Sequence, residues 1–191
     1  LANTTGVNNV AIGYQTLNNS TDKFANVAIG YRACKNNNSN YGVFIGDRAA
    51  SNGIVGGEKN VAVGHYSLFS LTTGAYNTAI GMSVLMDNTT ADFNTGLGYN
   101  ALTNNTTGAR NTSIGAATLM YNTTGSYNIA MGMNGMGSNT TGSRNLAIGY
   151  GALDGPDTEN DNIAIGYDAL GGSIAGDEYN VAIGNYSLDA N

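Results

Sequence analysis

The chain has 191 residues, of which only 10% are charged, and it contains 28 Gly, one Pro, one Cys and no Trp. Its formal net charge is −6, and its seven basic residues are scattered. This distribution argues against a nucleic-acid partner, because proteins that bind phosphate backbones concentrate Lys and Arg on one face. No apolar run approaches the roughly 20 residues that span a bilayer, so we expect no membrane contact by this segment.

One short pattern, seen at residues 145–149 as Asn-Leu-Ala-Ile-Gly, recurs along the whole chain. Seven of the ten steps between its eleven copies are 17 residues long. A period this short and regular predicts a β-solenoid, in which each repeat forms one coil and stacked coils bury each other's apolar faces. The copies begin at Asn9, Asn26, Gly42, Asn60, Asn77, Asn94, Asn111, Asn128, Asn145, Asn162 and Asn180.

We therefore expect an all-β, parallel β-solenoid of about eleven coils over residues 1–191, with one repeat array as the only domain. The array starts and stops within a repeat, without the atypical capping repeats that solenoids require. This phase indicates a fragment of a longer fibre chain. Coils and repeat positions are numbered here in chain order, so that coil six begins with Asn94 at position one.

Positions one to five of each repeat alternate between apolar and small residues. Positions two and four are mostly β-branched or large, and position three is usually Ala. Alternation of this kind predicts a short β-strand with one face turned inward, and we expect a second strand at positions six to nine. The predicted interior includes Ile12, Ile29, Ile80, Ile148 and Leu102.

The Asn at position one and the Gly at position five are the most regular residues of the repeat. Gly occupies position five in all eleven copies, which predicts a positive φ or a corner too tight for a Cβ. Asn side chains stacked about 4.8 Å apart are expected to form an amide ladder, with a row of ligand-binding amides as the alternative. This predicted ladder comprises Asn9, Gly13, Asn26, Gly30, Asn77, Gly81, Asn145 and Gly149.

The Asn-Thr-Thr-Gly segment, as at 105–108 and 122–125, has the composition of a turn, and we expect it to face solvent. Each coil offers about three large inward side chains, which is a thin core. Small residues at positions three and eight, such as Ala28 with Ala33 and Ala147 with Ala152, predict a flat outer face. Side-by-side packing of several chains on that face would bury what one coil cannot.

The motif Asn-Val-Ala-Ile-Gly at 9–13, 26–30 and 180–184 resembles the head repeats of trimeric autotransporter adhesins of the YadA type. That resemblance implies a left-handed parallel β-roll in a homotrimer. The longer unit, Asn-Thr-Ala-Ile-Gly followed by Asn-Thr-Thr-Gly, resembles repeat arrays of bacteriophage-type tail fibres. The resemblance covers the whole chain, although the adhesin repeat is shorter. It implies an extracellular location on a bacterial cell surface or a virion, and a role in host attachment.

Few residues suggest chemistry. His65 replaces Tyr in a column at position six, and nothing near it in sequence supplies a catalytic partner, so we expect no enzyme activity. Cys34 takes the Leu position of the core. The late acidic residues match no Ca²⁺ loop, and we predict no metal and no cofactor. The Tyr column is the candidate surface for a host glycan or protein: Tyr14, Tyr31, Tyr99, Tyr150 and Tyr167.

Two alternatives to an adhesive fibre remain open at this point. Regular Thr rows on flat β-solenoids are a property of ice-binding proteins, although the Thr residues here fall in predicted loops. A passive spacer within a larger protein would need only the rod.

Overall fold

A computed structural model describes residues 5–36, 38–53, 55–155, 158–172 and 178–189. It confirms the all-β, parallel β-solenoid: the described residues form eleven three-residue strands, one in each repeat, and no helix. The strands are β1 (Val10–Ile12), β2 (Val27–Ile29), β3 (Val43–Ile45), β4 (Val61–Val63), β5 (Thr78–Ile80), β6 (Thr95–Leu97), β7 (Thr112–Ile114), β8 (Ile129–Met131), β9 (Leu146–Ile148), β10 (Ile163–Ile165) and β11 (Val181–Ile183).

The strands form one parallel sheet in chain order, and equivalent repeat positions pair with each other. Register survives the irregular steps, since Val27 pairs with Val43 and Val43 with Val61 although these steps are 16 and 18 residues. The extra or missing residue is therefore absorbed outside the strands. At the usual strand spacing of about 4.8 Å, eleven strands give a rod about 50 Å long.

The second strand expected at positions six to nine is wrong, because this segment folds as a turn in each described coil. Residues at positions seven and nine adopt a left-handed conformation, as at Arg32 (φ 55°) and Cys34 (φ 45°). Hydrogen bonds between coils persist there: the Arg32 N–H donates to the Tyr14 carbonyl at 2.8 Å, and the Cys34 N–H to the Ala49 carbonyl at 2.8 Å. The turn typically continues to position eleven, as at residues 14–19 and 82–87. We call positions six to eleven the turn wall and positions one to five the strand wall.

The side of each strand that faces the interior is the opposite of the one predicted from the sequence. Position three is inside, as shown by Ala28 and Ala147, which are 0% exposed. The predicted burial of Ile12, Ile80 and Ile148 is wrong, because these side chains are 59%, 39% and 37% exposed. Ile29 is half-buried. The prediction is correct for Leu102, which is fully buried on the turn wall.

The interior is too narrow for large side chains from both walls, and this width explains the reversal. Ala at position three faces Ala and Leu at positions eight and nine, so the small residues line the inside and form no outer face. Coil six shows how full this space is. A Cβ added at Gly96 would collide with the Val84 side chain, which fills the space that Ala occupies in other coils.

Candidate functional site

The position-one Asn side chains form a ladder along the rod, and all of them are buried except Asn9 and Asn180 at its two ends, which are half-buried. The Asn26 N–H donates to Asn9 Oδ1 at 3.0 Å, and the Asn94 N–H to Asn77 Oδ1 at 3.0 Å. The side-chain amide also crosses the coil, because Asn145 Nδ2 donates to the Glu159 carbonyl at 2.8 Å. Both ends of each of these amides are engaged inside the protein, which leaves no row of free amides for a ligand.

Coil three interrupts this ladder. Gly42 stands at position one, and its N–H donates to Asn26 Oδ1 at 2.9 Å, but it has no side chain with which to continue. The ring of Phe44, at position three, occupies the space next to the Gly42 Cα, and both residues are buried. The two departures from the repeat therefore compensate for each other in volume.

The position-five Gly residues form the corner after each strand. Gly13, Gly30, Gly81 and Gly149 have φ values of 128°, 133°, 131° and 141°. A Cβ at Gly149 would also collide with the Gly166 carbonyl of the next coil. Both the backbone conformation and the contact between coils require Gly here, and the role of these residues is structural.

A second buried Asn ladder was missed by the sequence analysis. Asn122 Nδ2 donates to Asn105 Oδ1 at 2.7 Å, and Asn139 Nδ2 to Asn122 Oδ1 at 2.8 Å. Each of these side chains also donates to the carbonyl three residues on, such as Asn122 to Gly125 at 3.0 Å. Only the second Thr of the Asn-Thr-Thr-Gly turn is exposed. The signal was present, because this Asn recurs at the same 17-residue step.

The outer side of the strand wall is a continuous apolar surface, which we call the sheet face. Its two central columns, positions two and four, contain only Val, Ile, Leu, Met and Thr in all eleven copies. Many of the side chains in these two columns are at least one-third exposed to solvent. They include Val10, Ile12, Ile80, Leu97, Ile129, Met131, Ile148, Val181 and Ile183.

The size of the sheet face sets it apart from ordinary protein surface. Its apolar central columns run for about 50 Å, and with the partly polar and charged borders at positions six and seventeen the whole face is about 20 Å wide, or about 1,000 Å². The largest apolar patch on a typical monomer is about 300–600 Å². Parallel sheets also occur almost only with both faces covered. The sheet face therefore has the properties of an interface.

The Tyr column forms one border of the sheet face. Tyr14 stacks on Tyr31 with ring centroids 5.5 Å apart, and Tyr150 on Tyr167 at 5.1 Å. All five predicted Tyr residues are 40% or more exposed, as expected for a surface column. Among the described residues, Tyr99 makes no ring contact. In the other six coils position six carries a different residue: Asp47, His65, Met82, Ala116, Met133 and Asn185.

The opposite border, at position seventeen, carries mostly aromatic and cationic residues. Lys59 Nζ donates to the Tyr76 hydroxyl at 3.0 Å, and this bond raises the pKa of Lys59. The Arg110 guanidinium lies 5.3 Å from the centre of the Phe93 ring, a cation–π contact. The two borders thus differ in charge, because three cations stand on this side: Lys59, Arg110 and Arg144.

The remaining candidates for chemistry lie apart from one another. His65 Nε2 lies 3.2 Å from Asp47 Oδ2 at the surface. Cys34 is buried, and burial raises the pKa of its thiol. Within the described ranges, no group of three or more His, Cys, Asp and Glu side chains is arranged to hold a metal. Two of the late acidic residues, Asp157 and Asp177, lie outside those ranges.

The described part of the chain also contains no helix long and apolar enough to cross a membrane. Comparison with protein-family models, with curated proteins and with solved structures finds no match for this chain. Among the described residues, the sheet face is the feature on which a proposal of function can be based.

Proposed function

We propose that this chain is a segment of an extracellular fibre on a bacterial or virion surface, assembled as a homotrimer through the sheet face. The segment acts as a shaft or head that presents or forms a host-binding surface. The observation that carries this proposal is a rod with one uncharged apolar face along its whole length. The proposal assigns it no catalytic role, cofactor or nucleic-acid partner.

The occupant of the sheet face is a second copy of the array. Its central columns carry no charge in any repeat, so a charged partner would leave its own groups unpaired. A partner must also match strands spaced about 4.8 Å apart over about 50 Å. Another copy of the same array has both properties. The available area, about 1,000 Å² on each chain, is close to the about 800 Å² that each partner buries in a standard stable interface, and in a trimer it is divided between two neighbours.

The number three and the left-handed coil path are supported by the resemblance to trimeric adhesins. Rotation about an axis parallel to the rod brings the position-seventeen border of one chain towards the position-six border of the next. At equal heights along the rod, that arrangement places Arg144 of one chain beside Tyr150 of the next, a favourable cation–π pairing. Tyr14 and Tyr31 have no cation at their height on the opposite border, and they lie at the edge of such an assembly, where they are available to a host glycan or protein.

Light scattering on the purified segment tests the assembly. Ile80→Lys with Leu97→Lys places two charges on the sheet face in coils five and six, where both residues are exposed. The matched control, Thr90→Lys with Thr107→Lys, adds the same charges to exposed turns of the same coils. We expect a trimer for the parent and the control, and dissociation for the sheet-face variant.

A folded, monomeric parent protein at micromolar concentration would overturn the proposal. It would favour the ice-binding alternative, for which the structure offers one relevant feature. Position fourteen carries an exposed Thr in five consecutive coils: Thr73, Thr90, Thr107, Thr124 and Thr141. This row is one column wide and lies on a turn. Thermal hysteresis in the monomer would identify an ice-binding function, and its absence would leave a passive spacer.

A further inference from the structure

A cleft of about 270 Å³ opens on the turn wall, outside the sheet face, across coils seven to nine. Its lining includes an exposed aromatic ring, a thioether, an amide, a hydroxyl and a carboxylate. The residues that supply them are Met120, Tyr121, Asn134, Ser138 and Asp154, with Gly137 at the floor.

The cleft exists because the sequence departs from its own repeat. Position ten carries Phe69, Met86, Thr103 and Met120 in coils four to seven, but Gly137 in coil eight and Gly171 in coil ten. Each coil of a solenoid has the same neighbours, so the packing requirement at one position is the same from coil to coil. A side chain missing at one coil is therefore not demanded by the fold.

Tyr121 forms an open wall of the cleft. It is 51% exposed, and among the described residues it makes no ring contact, whereas most Tyr rings of the sheet-face borders stack on a neighbouring ring or cation. Position eleven of the next coil is Ser138, which is too short to cover the ring. One face of the Tyr121 ring is therefore available to a ligand.

Polar groups face the ring across the cleft. Asp154 is half-buried, and its Oδ1 accepts a long hydrogen bond of 3.5 Å from Ser138 Oγ. Burial raises the pKa of this carboxyl, and a hydrogen bond from the Ser138 backbone partly opposes the shift. The Asn134 side-chain amide makes no hydrogen bond within the described residues. The cleft therefore offers both acceptors and donors that other groups do not fully satisfy.

We propose that this cleft binds one neutral hexose unit of a host or environmental glycan. The Tyr121 ring packs against the apolar C–H face of the sugar, and the Asp154 carboxylate accepts hydrogen bonds from two of its hydroxyls. Asn134 supplies a donor and an acceptor to a third. This inference deepens the proposed adhesive function, because it names a ligand class and a place for it.

The charge of the cleft selects among sugars. Its ionisable group is a carboxylate, and the chain is acidic overall, so uronic and sialic acids are repelled. The main alternative ligand for a cleft that has a carboxylate beside an aromatic ring is a cation. Cation recognition through aromatic rings uses several of them as a cage, whereas this cleft has one. The mixed donors and acceptors fit hydroxyl groups better.

Saturation-transfer difference NMR on the assembled protein tests the site. The probes are the methyl glycosides of glucose, galactose and mannose, with N-acetylglucosamine, glucuronate as the acidic sugar and choline as the cation. Two variants use residues that the repeat carries at the same position in a neighbouring coil, although Met in place of Gly137 must displace the Asp154 carboxylate, whose Oδ1 lies 2.9 Å from where a Cβ would stand. Tyr121→Ser installs the residue found at position eleven in the next coil, and Gly137→Met installs the position-ten residue of the coil before. Asp154→Asn removes the acceptor charge, and Asp87→Asn removes the same charge outside the cleft.

We expect at least one neutral sugar to bind the parent and the Asp87→Asn control. Tyr121→Ser and Gly137→Met abolish that binding, and Asp154→Asn weakens it about tenfold, the loss typical of one charge-assisted hydrogen bond. Binding unchanged in Tyr121→Ser and Gly137→Met, or no binding of any neutral sugar to the parent, would overturn the assignment. Choline binding tighter than every sugar would replace it with a cation site. Light scattering on the same samples reports assembly separately, so the two proposals fail independently.

Discussion

The two walls of each coil place their large apolar side chains on opposite sides, inside the coil for the turn wall and outside it for the strand wall. The turn wall points its Leu inward at position nine, where Leu68, Leu102 and Leu119 are fully buried, and presents polar residues at position seven. The strand wall points Ala inward and leaves Ile, Val and Leu outside. The interior of one coil holds only one set of large side chains. The turn wall is thus complete in a single chain, whereas the outer side of the strand wall is covered only in the proposed assembly.

Coil six offers a direct way to break this comparison, because it carries Leu on both walls. Leu102 on the turn wall is 0% exposed, and Leu97 on the strand wall is 44% exposed. Leu102→Ala leaves a cavity in the core and should lower the free energy of unfolding by about 2–5 kcal/mol. Chemical denaturation followed by circular dichroism measures this loss, which should not depend on protein concentration.

Leu97→Ala is the matched variant, and its effect should have a different signature. The coil loses no internal packing, so the loss of stability should appear only as weaker assembly, which grows on dilution. Equal losses at all concentrations for both variants would mean that both Leu side chains pack within one chain. The distinction between the walls would then be incorrect.

The Asn ladder, at the inner edge of the strand wall, provides a second test of the difference between the two walls. Asn94 Oδ1 accepts from the Asn111 N–H at 2.9 Å, and its Nδ2 donates to the Gly108 carbonyl at 2.9 Å. Asn94→Ala leaves that N–H buried and unpaired, at a cost of about 1–3 kcal/mol. The Gly108 carbonyl still accepts a hydrogen bond from Asn105 Nδ2, so removing the Asn94 donor costs less at this group.

Asn104 in the same coil provides the control for this second prediction. It lies on the turn wall, only partly buried, and its side chain makes no hydrogen bond within the described residues. Asn104→Ala should change the unfolding free energy by no more than about 0.5 kcal/mol. If the two variants lowered stability equally, the buried ladder would contribute nothing beyond any Asn of the repeat.

The sequence was sufficient for the fold class because a 17-residue period constrains the coil and the stacking at once. The sequence was not sufficient to predict which side of each strand faces inward. Alternation shows that Ile12 and Val10 share a face, but either face can be the buried one. The choice depends on interior width, which is set by the opposite wall, and a pattern read along one strand contains no information about it.

The turn wall was mistaken for a strand, although the sequence contains the relevant signal. No Val, Ile or Thr occurs at position seven or nine in any copy. β-Branched residues strongly disfavour the left-handed conformation that both positions adopt, and a real strand would have been enriched in them. The cleft beside Tyr121 could not be predicted at all, because it requires knowledge that positions seven, ten and eleven of three coils meet at one corner.

The smallest expected effect comes from two aspartates whose pKa shifts are opposite. Burial raises the pKa of Asp87 on the turn wall, whereas the hydrogen bond from Arg144, at 2.7 Å, lowers the pKa of the exposed Asp161 at the border of the sheet face. A raised carboxyl pKa means that the folded state binds protons more readily, so the Asp87 charge costs stability above that pKa. A lowered pKa means that Asp161 contributes stability above its unfolded pKa and loses it as the pH falls through the folded one.

Asp87→Asn should therefore raise the thermal midpoint slightly at pH 7, and Asp161→Asn should lower it slightly. Both differences should vanish in acid, where the aspartates are protonated. Thermal melts of both variants from pH 7 to pH 2 decide the matter, and shifts of the same sign would show that at least one of the two environments differs from the structure.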